Sequence, residues 1–217
     1  MNNFKPAAAI FDMDGLMLDT ERPMVSAWIE AGKKIGWKIT EETAIHTIGL
    51  TGEDIRKLCL NELGPDFPYE KFDVILHNLF AEIFDKGIAL KPGLIQILDH
   101  LAALKIPTAV ATSTYRDFAL VKLKKAGIPD RFKILACGDE AVRGKPAPDI
   151  FLLAAKRIGK TPDECIGFED SAAGLMGLHS AGIRSVFVKD LIEPPPQVLA
   201  TVWQRCSDLS EAIKFFS

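Results

Sequence analysis

Short apolar runs alternate with amphipathic segments along most of this chain, and this alternation is the strongest constraint on its fold. A short apolar run bounded by turn residues is typical of a buried strand, and a longer amphipathic segment is typical of a helix. Their alternation predicts parallel βαβ units and therefore a doubly wound α/β sheet with helices on both faces. The predicted strands are residues 7–11, 108–111, 134–137, 165–168 and 185–188. The predicted helices are residues 94–104, 116–126, 149–158, 171–181 and 209–216.

Residues 18–88 interrupt this rhythm, because they contain helix-like segments and no clear strand. These segments are residues 23–35, 41–48, 52–63 and 69–84. An all-helical insertion after the first strand would lie over the carboxyl end of that strand and act as a cap. We therefore predict an α/β core formed by residues 1–17 and 89–217, and a small helical cap formed by residues 18–88.

Composition and charge exclude several classes of function. The 217-residue chain has a formal net charge of −3, so no basic field favours binding to a nucleic acid polymer. No segment is long enough to span a bilayer, and the apolar run before Asp12 is too short for a signal peptide. The four cysteines are widely spaced and are typical of free thiols in a reducing compartment. We expect a cytoplasmic protein without a membrane partner, and nothing in the sequence requires more than a monomer.

Polar residues follow several of the predicted strands. In chain order they are Asp12 and Asp14, Thr112-Ser113-Thr114, Lys145 in the loop after the third strand, and Glu169-Asp170. The carboxyl ends of parallel strands meet at one edge of a sheet, where ligands of such folds bind. The sequence therefore predicts one site with four acids, a lysine and several hydroxyl or amide donors.

Two adjacent carboxylates at the end of a buried strand are costly unless a cation or a proton compensates them. A single Asp-x-Asp would be explained better by a turn with a helix cap than by a site, but three further polar segments at equivalent strand ends favour a site. Carboxylate oxygens suit Mg²⁺, and a cation with a lysine and donors suits a transferring phosphoryl group. One carboxylate can form an aspartyl-phosphate while its neighbour acts as acid and base. Residue types alone leave open which aspartate has which role.

The order of these motifs resembles the haloacid dehalogenase (HAD) superfamily. The shared motifs are Asp-x-Asp, Thr-Ser, Lys-Pro-x-Pro-Asp and Gly-x-Glu-Asp-Ser, and they extend over nearly the whole chain. The run Phe-Asp-Met-Asp-Gly-Leu-Met-Leu-Asp-Thr-Glu-Arg is similar to the β-phosphoglucomutase-like phosphatases, which act on small phosphorylated metabolites. The resemblance implies a Rossmann-like core with a helical cap, and Mg²⁺-dependent hydrolysis of a small phosphomonoester.

The resemblance also implies roles for the first motif. Asp12 would be the nucleophile and a Mg²⁺ ligand. Asp14 would be the general acid and base, and its backbone carbonyl would also bind Mg²⁺. The backbone amides of Met13 and Asp14 would hold phosphate oxygens.

The later motifs complete the implied site. Thr112 would bind the phosphoryl group through its hydroxyl, helped by the amide of Ser113. Lys145 would neutralise the nucleophile and the phosphate. Asp170 would bind Mg²⁺, with Glu169 as a further ligand or as a partner that orients the ligands.

Further substrate contacts are predicted at Thr114, Arg116, Glu21 and Thr51. Thr114 adds a hydroxyl to the anion-binding loop, and Arg116 follows that loop closely enough to reach a leaving group. Glu21 and Thr51 lie in the predicted cap. A helix-surface or packing role is the alternative for Arg116, Glu21 and Thr51.

Hydrolysis is favoured over the mutase reaction of the β-phosphoglucomutases. Those enzymes have a histidine shortly after the first motif, where this chain has Glu21-Arg22-Pro23-Met24. They also have a cap arginine at a position that aligns with Gly52. Arg22 or Arg56 could take the place of that arginine by a different route, so a hexose-phosphate mutase stays the alternative function. A catalytically silent protein that binds phosphometabolites is a further alternative.

Overall fold

The structure, a computed structural model, describes residues 4–48 and 52–216. The chain divides into two compact units. One consists of Met1–Asp19 with Ala89–Ser217, and the other consists of Thr20–Ile88.

A parallel sheet organises the first unit. Its strands are β1 Ala8–Phe11, β2 Thr108–Ala111, β3 Leu135–Ala136, β4 Cys165–Glu169, β5 Arg184–Val188 and β6 Gln204–Cys206. Their order across the sheet is β3-β2-β1-β4-β5-β6, and every neighbouring pair is parallel. This topology confirms the predicted doubly wound α/β fold. It also puts β1 between β2 and β4, so the ends of these three strands are neighbours.

α-Helices cover about half of the remaining described residues. In chain order they are α1 Glu21–Ile35, α2 Glu41–Ile45, α3 Gly52–Leu63, α4 Tyr69–Asp85, α5 Leu94–Ala103, α6 Arg116–Lys125, α7 Asp149–Ile158, α8 Ala172–Ser180 and α9 Pro196–Leu199. Short 3₁₀ segments cover Gly138–Glu140, Pro162–Glu164 and Leu209–Phe216.

Side chains cover both faces of the central strand, because all four residues of β1 are buried. Ile10 belongs to a core cluster that includes Phe151 of α7 and Leu178 of α8. Phe11 points away from that cluster and stacks on Phe168 of β4, with ring centroids 4.8 Å apart. Burial on both faces explains why these strands are apolar runs rather than alternating patterns.

The Thr20–Ile88 unit is helical in its described part and has an aromatic core of its own. Trp28 of α1 packs on Phe72 of α4, with ring centroids 4.9 Å apart, and both are buried. Phe67, just before α4, packs on the same Phe72 ring at 5.2 Å. These contacts hold the longest two helices of the unit together.

The chain leaves and re-enters the first unit through paired backbone segments. Leu18 and Leu90 form an antiparallel bridge. The amide of Asp19 donates to the carbonyl of Ala89 at 2.9 Å, and the amide of Lys91 donates to the carbonyl of Met17 at 2.9 Å. The outgoing and returning segments are therefore hydrogen-bonded neighbours.

Some predicted elements differ from those observed. β3 is shorter than predicted, the predicted 41–48 helix ends at Ile45, and 209–216 is a 3₁₀ helix. β6 and α9 were not predicted. Two of the three residues of β6 are exposed, so it has no apolar run, and α9 begins at Pro196 inside a proline run that reads as a loop. Proline is favoured at a first helical position because its missing N–H has no helical partner there.

Candidate active site

The chain turns sharply after β1 and places Asp12 and Asp14 in different surroundings. The amide of Asp12 still belongs to the sheet and donates to the carbonyl of Phe168 at 3.1 Å. The amides of Met17 and Leu18 both donate to the carbonyl of Met13 at 3.0 Å, which closes the turn. Asp12 is buried, whereas Asp14 is partly exposed.

Lys145 links the ends of β1, β2 and β4. Its ammonium donates to Oδ1 of Asp12 in a very short contact, to Oε1 of Glu169 at 2.6 Å and to the carbonyl of Ala111 at 3.2 Å. The lysine side chain is only 7% exposed, and the Glu169 side chain is fully buried. A buried ammonium shared by two carboxylates offsets part of the cost of removing all three charges from water.

The second oxygen of Glu169 is held by the turn into α8. Oε2 accepts from the amides of Asp170 and Ser171, each at 3.1 Å, and from the Ser171 hydroxyl at 3.0 Å. The Ser171 hydroxyl oxygen in turn accepts from the amide of Gly174 at 3.0 Å and caps the helix. A Cβ atom at Gly174 would lie 1.8 Å from Oε1 of Glu169. Glycine at this helix position therefore makes room for the carboxylate.

The loop after β2 brings hydroxyl groups to the same edge of the sheet. Thr112 is 1% exposed, and its amide donates to the carbonyl of Ala136 at 3.0 Å. Its hydroxyl oxygen accepts from the amide of Thr114 at 3.0 Å. A hydroxyl that accepts in this way keeps its own hydrogen for donation. Ser113 is exposed in the same turn.

Asp14 contacts a lysine that the sequence analysis did not identify. Lys122 of α6 donates to Oδ1 of Asp14 at 2.7 Å. Thr114, predicted to bind substrate, donates its hydroxyl to Oδ2 of Asp14 at 2.8 Å. Lys122 lies near the end of α6 together with Lys124 and Lys125, where basic residues favourably meet the helix dipole, so its sequence position gave no sign of a site.

Arg116, predicted to bind substrate, is engaged in a different network. Its guanidinium donates to Oε2 of Glu140 at 2.7 Å and to the carbonyl of Leu135 at 2.9 Å. Arg157 of α7 donates to both oxygens of Glu140 at 2.9 Å. The hydrogen bond from Arg157 is the largest cause that lowers the pKa of Glu140 to about 2, and Arg116 acts in the same direction. These contacts hold Arg116 against β3, which agrees with the structural alternative for this residue; its role in substrate binding stays a prediction.

Two further predicted contacts belong to the helical segment. Glu21 is the first residue of α1 and lies in the Thr20–Ile88 unit. Thr51 lies outside the described residues. Their roles in substrate binding stay predictions.

The buried carboxylates form a group that is able to hold a metal ion. Asp12, Glu169 and Asp170 each offer an oxygen, and these oxygens lie within 4.8 Å of one another. Burial raises the pKa of Asp12 from 3.8 to about 7, and the charge of Glu169 adds to this effect against the attraction of Lys145. Burial lowers the pKa of Lys145, but the attraction of Asp12 and Glu169 outweighs it, and the net shift is upward. A cation beside Asp12 would favour its ionised form.

Comparison with known proteins identifies the family. A family model described as a haloacid dehalogenase-like hydrolase matches residues 6–182, and the chain belongs to that family. A phosphorylated carbohydrates phosphatase of Thermotoga maritima is 29% identical over 83% of this chain and 83% of its own length. A Drosophila melanogaster protein described as a probable pseudouridine-5′-phosphatase is 36% identical over 86% of this chain and 83% of its own length.

A solved structure agrees with these relatives. CbbY from Rhodobacter sphaeroides in complex with phosphate is similar at a TM-score of 0.75 and 25% identity, covering 95% of this chain and 96% of that chain. Together with the phosphatase relatives, the family match makes this chain a phosphoric monoester hydrolase with a HAD-like fold. No helix among residues 4–48 and 52–216 combines the length and apolarity needed to cross a membrane.

Replacing Gly174 with alanine tests the space reserved for Glu169. Helix propensity alone predicts that Gly→Ala in a helix raises the free energy of unfolding by about 1 kcal/mol. We expect this free energy to fall by about 3 kcal/mol instead, because the new methyl group displaces the buried, paired carboxylate of Glu169. Urea denaturation of both proteins measures the difference. Gly144→Ala is the control, since a Cβ there meets nothing within 4 Å; equal or greater stability of Gly174→Ala would contradict the packing.

Acid titration tests the network around Glu140. Because its pKa is lowered from 4.5 to about 2 in the folded state, its contribution to stability is present above pH 4.5 and is lost as the pH falls towards 2. Glu140→Gln is expected to reduce the free energy of unfolding by about 2 kcal/mol at pH 7, after allowance for partial exposure, and by much less near pH 2.5. Denaturation of both proteins at several pH values gives this difference. A difference independent of pH would exclude the ion pairs as its source.

Proposed function

We propose that this chain is a Mg²⁺-dependent phosphatase that hydrolyses a small phosphomonoester metabolite through an aspartyl-phosphate. The observation that carries the proposal is the buried ammonium of Lys145 between Asp12 and Glu169, beside Asp170. A nucleophilic carboxylate, a fixed positive charge and an acidic metal group are the components that phosphoryl transfer requires. The substrate class follows the phosphatase relatives, and we propose a sugar phosphate or a nucleoside monophosphate.

The first step forms the covalent intermediate. A carboxylate oxygen of Asp12 attacks phosphorus, and the bond between phosphorus and the ester oxygen breaks. Asp14 in its protonated form gives a proton to the departing oxygen, which leaves as an alcohol. The hydroxyl of Thr112 and the amides of Met13, Asp14 and Ser113 would hold the other phosphoryl oxygens.

The second step regenerates the enzyme. Asp14, now ionised, takes a proton from water as the water oxygen attacks phosphorus of the aspartyl-phosphate. The bond between phosphorus and Asp12 breaks, inorganic phosphate leaves and Asp14 is again protonated. Lys145 stays protonated throughout, and its charge opposes the negative charge on Asp12 and on the phosphoryl oxygens.

The residues present fit a bound Mg²⁺ ion. This region contains the ammonium groups of Lys122 and Lys145 and twice as many carboxylates, those of Asp12, Asp14, Glu169 and Asp170. A divalent cation would balance the excess negative charge. The ion, when bound, supplies positive charge to the phosphoryl oxygens. Asp12, Asp170 and the backbone carbonyl of Asp14 would hold it. Because both oxygens of Glu169 already accept hydrogen bonds, this side chain serves better to orient Lys145 and Asp170 than as a ligand.

We further propose that catalysis and substrate selection are carried out by different parts of the chain. Residues 1–17 and 89–217 would carry the chemistry, and residues 18–88 would act as a cap that excludes bulk water and selects the substrate. Glu21 and Thr51 are the proposed contacts from the cap. We propose a cytoplasmic monomer that acts on metabolites and not on a nucleic acid polymer.

Removing the nucleophile tests the reaction. We expect Asp12→Asn to lower phosphate release by about 10⁴-fold or more, because an amide cannot form the acyl phosphate. The assay measures free phosphate from hexose 6-phosphates, β-glucose 1-phosphate, glycerol phosphate, phosphoglycolate and nucleoside monophosphates, with and without Mg²⁺. Asp130→Asn, at an exposed aspartate, is the matched control. An isomeric phosphate ester in place of free phosphate would favour the mutase, and no turnover would favour a binding protein.

The pH dependence of metal binding tests the site directly. Without metal the pKa of Asp12 is about 7, so a proton competes with the ion below that pH. We expect the Kd for Mg²⁺ to rise by about tenfold for each pH unit below 7 and to level off above it. Isothermal titration calorimetry without substrate measures the Kd. Asp12→Asn is expected to bind Mg²⁺ more weakly than the wild type and with little pH dependence, and an equal Kd for the two proteins at pH 8 would exclude Asp12 as a ligand. An equal wild-type Kd at pH 5.5 and pH 8 would show that no proton competes with the ion at Asp12.

A further inference from the structure

The two oxygens of the Asp14 carboxylate are held by different donors. Lys122 donates to Oδ1 at 2.7 Å, and the hydroxyl of Thr114 donates to Oδ2 at 2.8 Å. The Lys122 ammonium also donates to the Thr114 hydroxyl oxygen at 3.3 Å, which closes a ring of three hydrogen bonds. The Lys122 and Asp14 side chains are 21% and 28% exposed, so water screens this ion pair only in part.

The geometry of α6 explains how a distant lysine reaches the turn after β1. Side chains of a helix tilt towards its amino end, and a lysine has a long flexible stem. Thr114 lies just before α6, and Lys122 lies about two turns into it. The stem therefore runs back along the helix towards Thr114 and Asp14, and the ammonium stays at the edge of the site.

This lysine is distinct from Lys145 in its place and its partners. Lys145 is almost fully buried and donates to Asp12 and Glu169. Lys122 is partly exposed and contacts Asp14 and Thr114. The two aspartates of the first motif thus each have an ammonium partner of their own.

We propose that Lys122 is a positioning residue for Asp14, acting together with Thr114. A group that transfers a proton must lie within hydrogen-bond reach of the reacting oxygen, and an error of about 1 Å can cost 10²-fold in rate. An aspartate has two rotatable side-chain bonds, and donors on both oxygens restrict both of them. Lys122 and Thr114 would in this way hold the carboxylate at the orientation in which it serves the leaving oxygen and then water. This role rests on the phosphatase reaction proposed above.

Leaving groups of different basicity test the proposal. An alkyl alcohol needs a proton as it leaves, whereas p-nitrophenolate leaves readily without one. The value of kcat/KM covers the steps up to cleavage of the ester bond. We expect Lys122→Met to lower kcat/KM by about 10- to 100-fold for the best alkyl phosphate of the metabolite panel, and by less than about threefold for p-nitrophenyl phosphate.

Three further variants distinguish positioning from a structural role. Lys124→Met, at an exposed lysine of the same helix, is expected to match the wild type. Lys122→Arg keeps a cation and donors, and we expect it to recover most of the rate with the alkyl phosphate. In an Asp14→Asn background, adding Lys122→Met should change kcat/KM by less than about twofold, because Lys122 acts through the missing carboxylate.

Each contrary result has a definite meaning. Equal losses of kcat/KM with both substrates, or a full Lys122→Met effect in the Asp14→Asn background, would overturn the positioning role while phosphatase activity stands. A wild-type protein that releases no phosphate from any substrate would overturn the proposed function, and the role of Lys122 with it.

Discussion

The contact of the Lys145 ammonium with Asp12 and Glu169 is the interaction on which the site depends. Two buried carboxylates at the ends of adjacent strands repel one another, and the shared cation makes their burial tolerable. The residues around Glu169 must also accommodate its buried carboxylate. Glu169 keeps its orientation because the turn into α8 donates to its other oxygen, and the helix itself has no side chain at Gly174 where that carboxylate lies.

Asp12 and Asp14 have the same side chain, but their positions relative to the sheet give them different burial and different hydrogen-bond partners. Asp12 is still bonded to β4 through its backbone and is enclosed, whereas Asp14 lies beyond the turn and meets a partly exposed lysine. Burial raises the pKa of Asp12. The carboxylate of Asp14, by contrast, accepts hydrogen bonds from Thr114 and Lys122. Separate environments of this kind are how two carboxylates of one site acquire separate roles.

The sequence was sufficient to predict the fold class, because the spacing of apolar runs is a local pattern. It also named candidate site residues, and the structure brings Asp12, Glu169 and Asp170 together, with Lys145 in contact with two of them. Apolar runs predicted the central strands, and the order of the motifs pointed to the family, which the comparison confirmed. β6 was missed because most of its residues are exposed at the edge of the sheet. Lys122 was missed because it resembles an ordinary basic residue of a helix end. The ion pairs of Arg116 with Glu140, and of Glu140 with Arg157, were not predictable from local sequence, because these residues meet only in the folded chain.

The paired exit and return of the chain at Leu18 and Leu90 has a consequence for how proteins of this architecture change over time. Since the two ends of the intervening segment are already hydrogen-bonded neighbours, the first unit closes in the same way whatever length of chain lies between them. The entropic cost of lengthening such a loop grows only with the logarithm of its length. The segment between Asp19 and Ala89 is therefore able to change in length and in sequence while the paired strand ends that close the first unit stay the same.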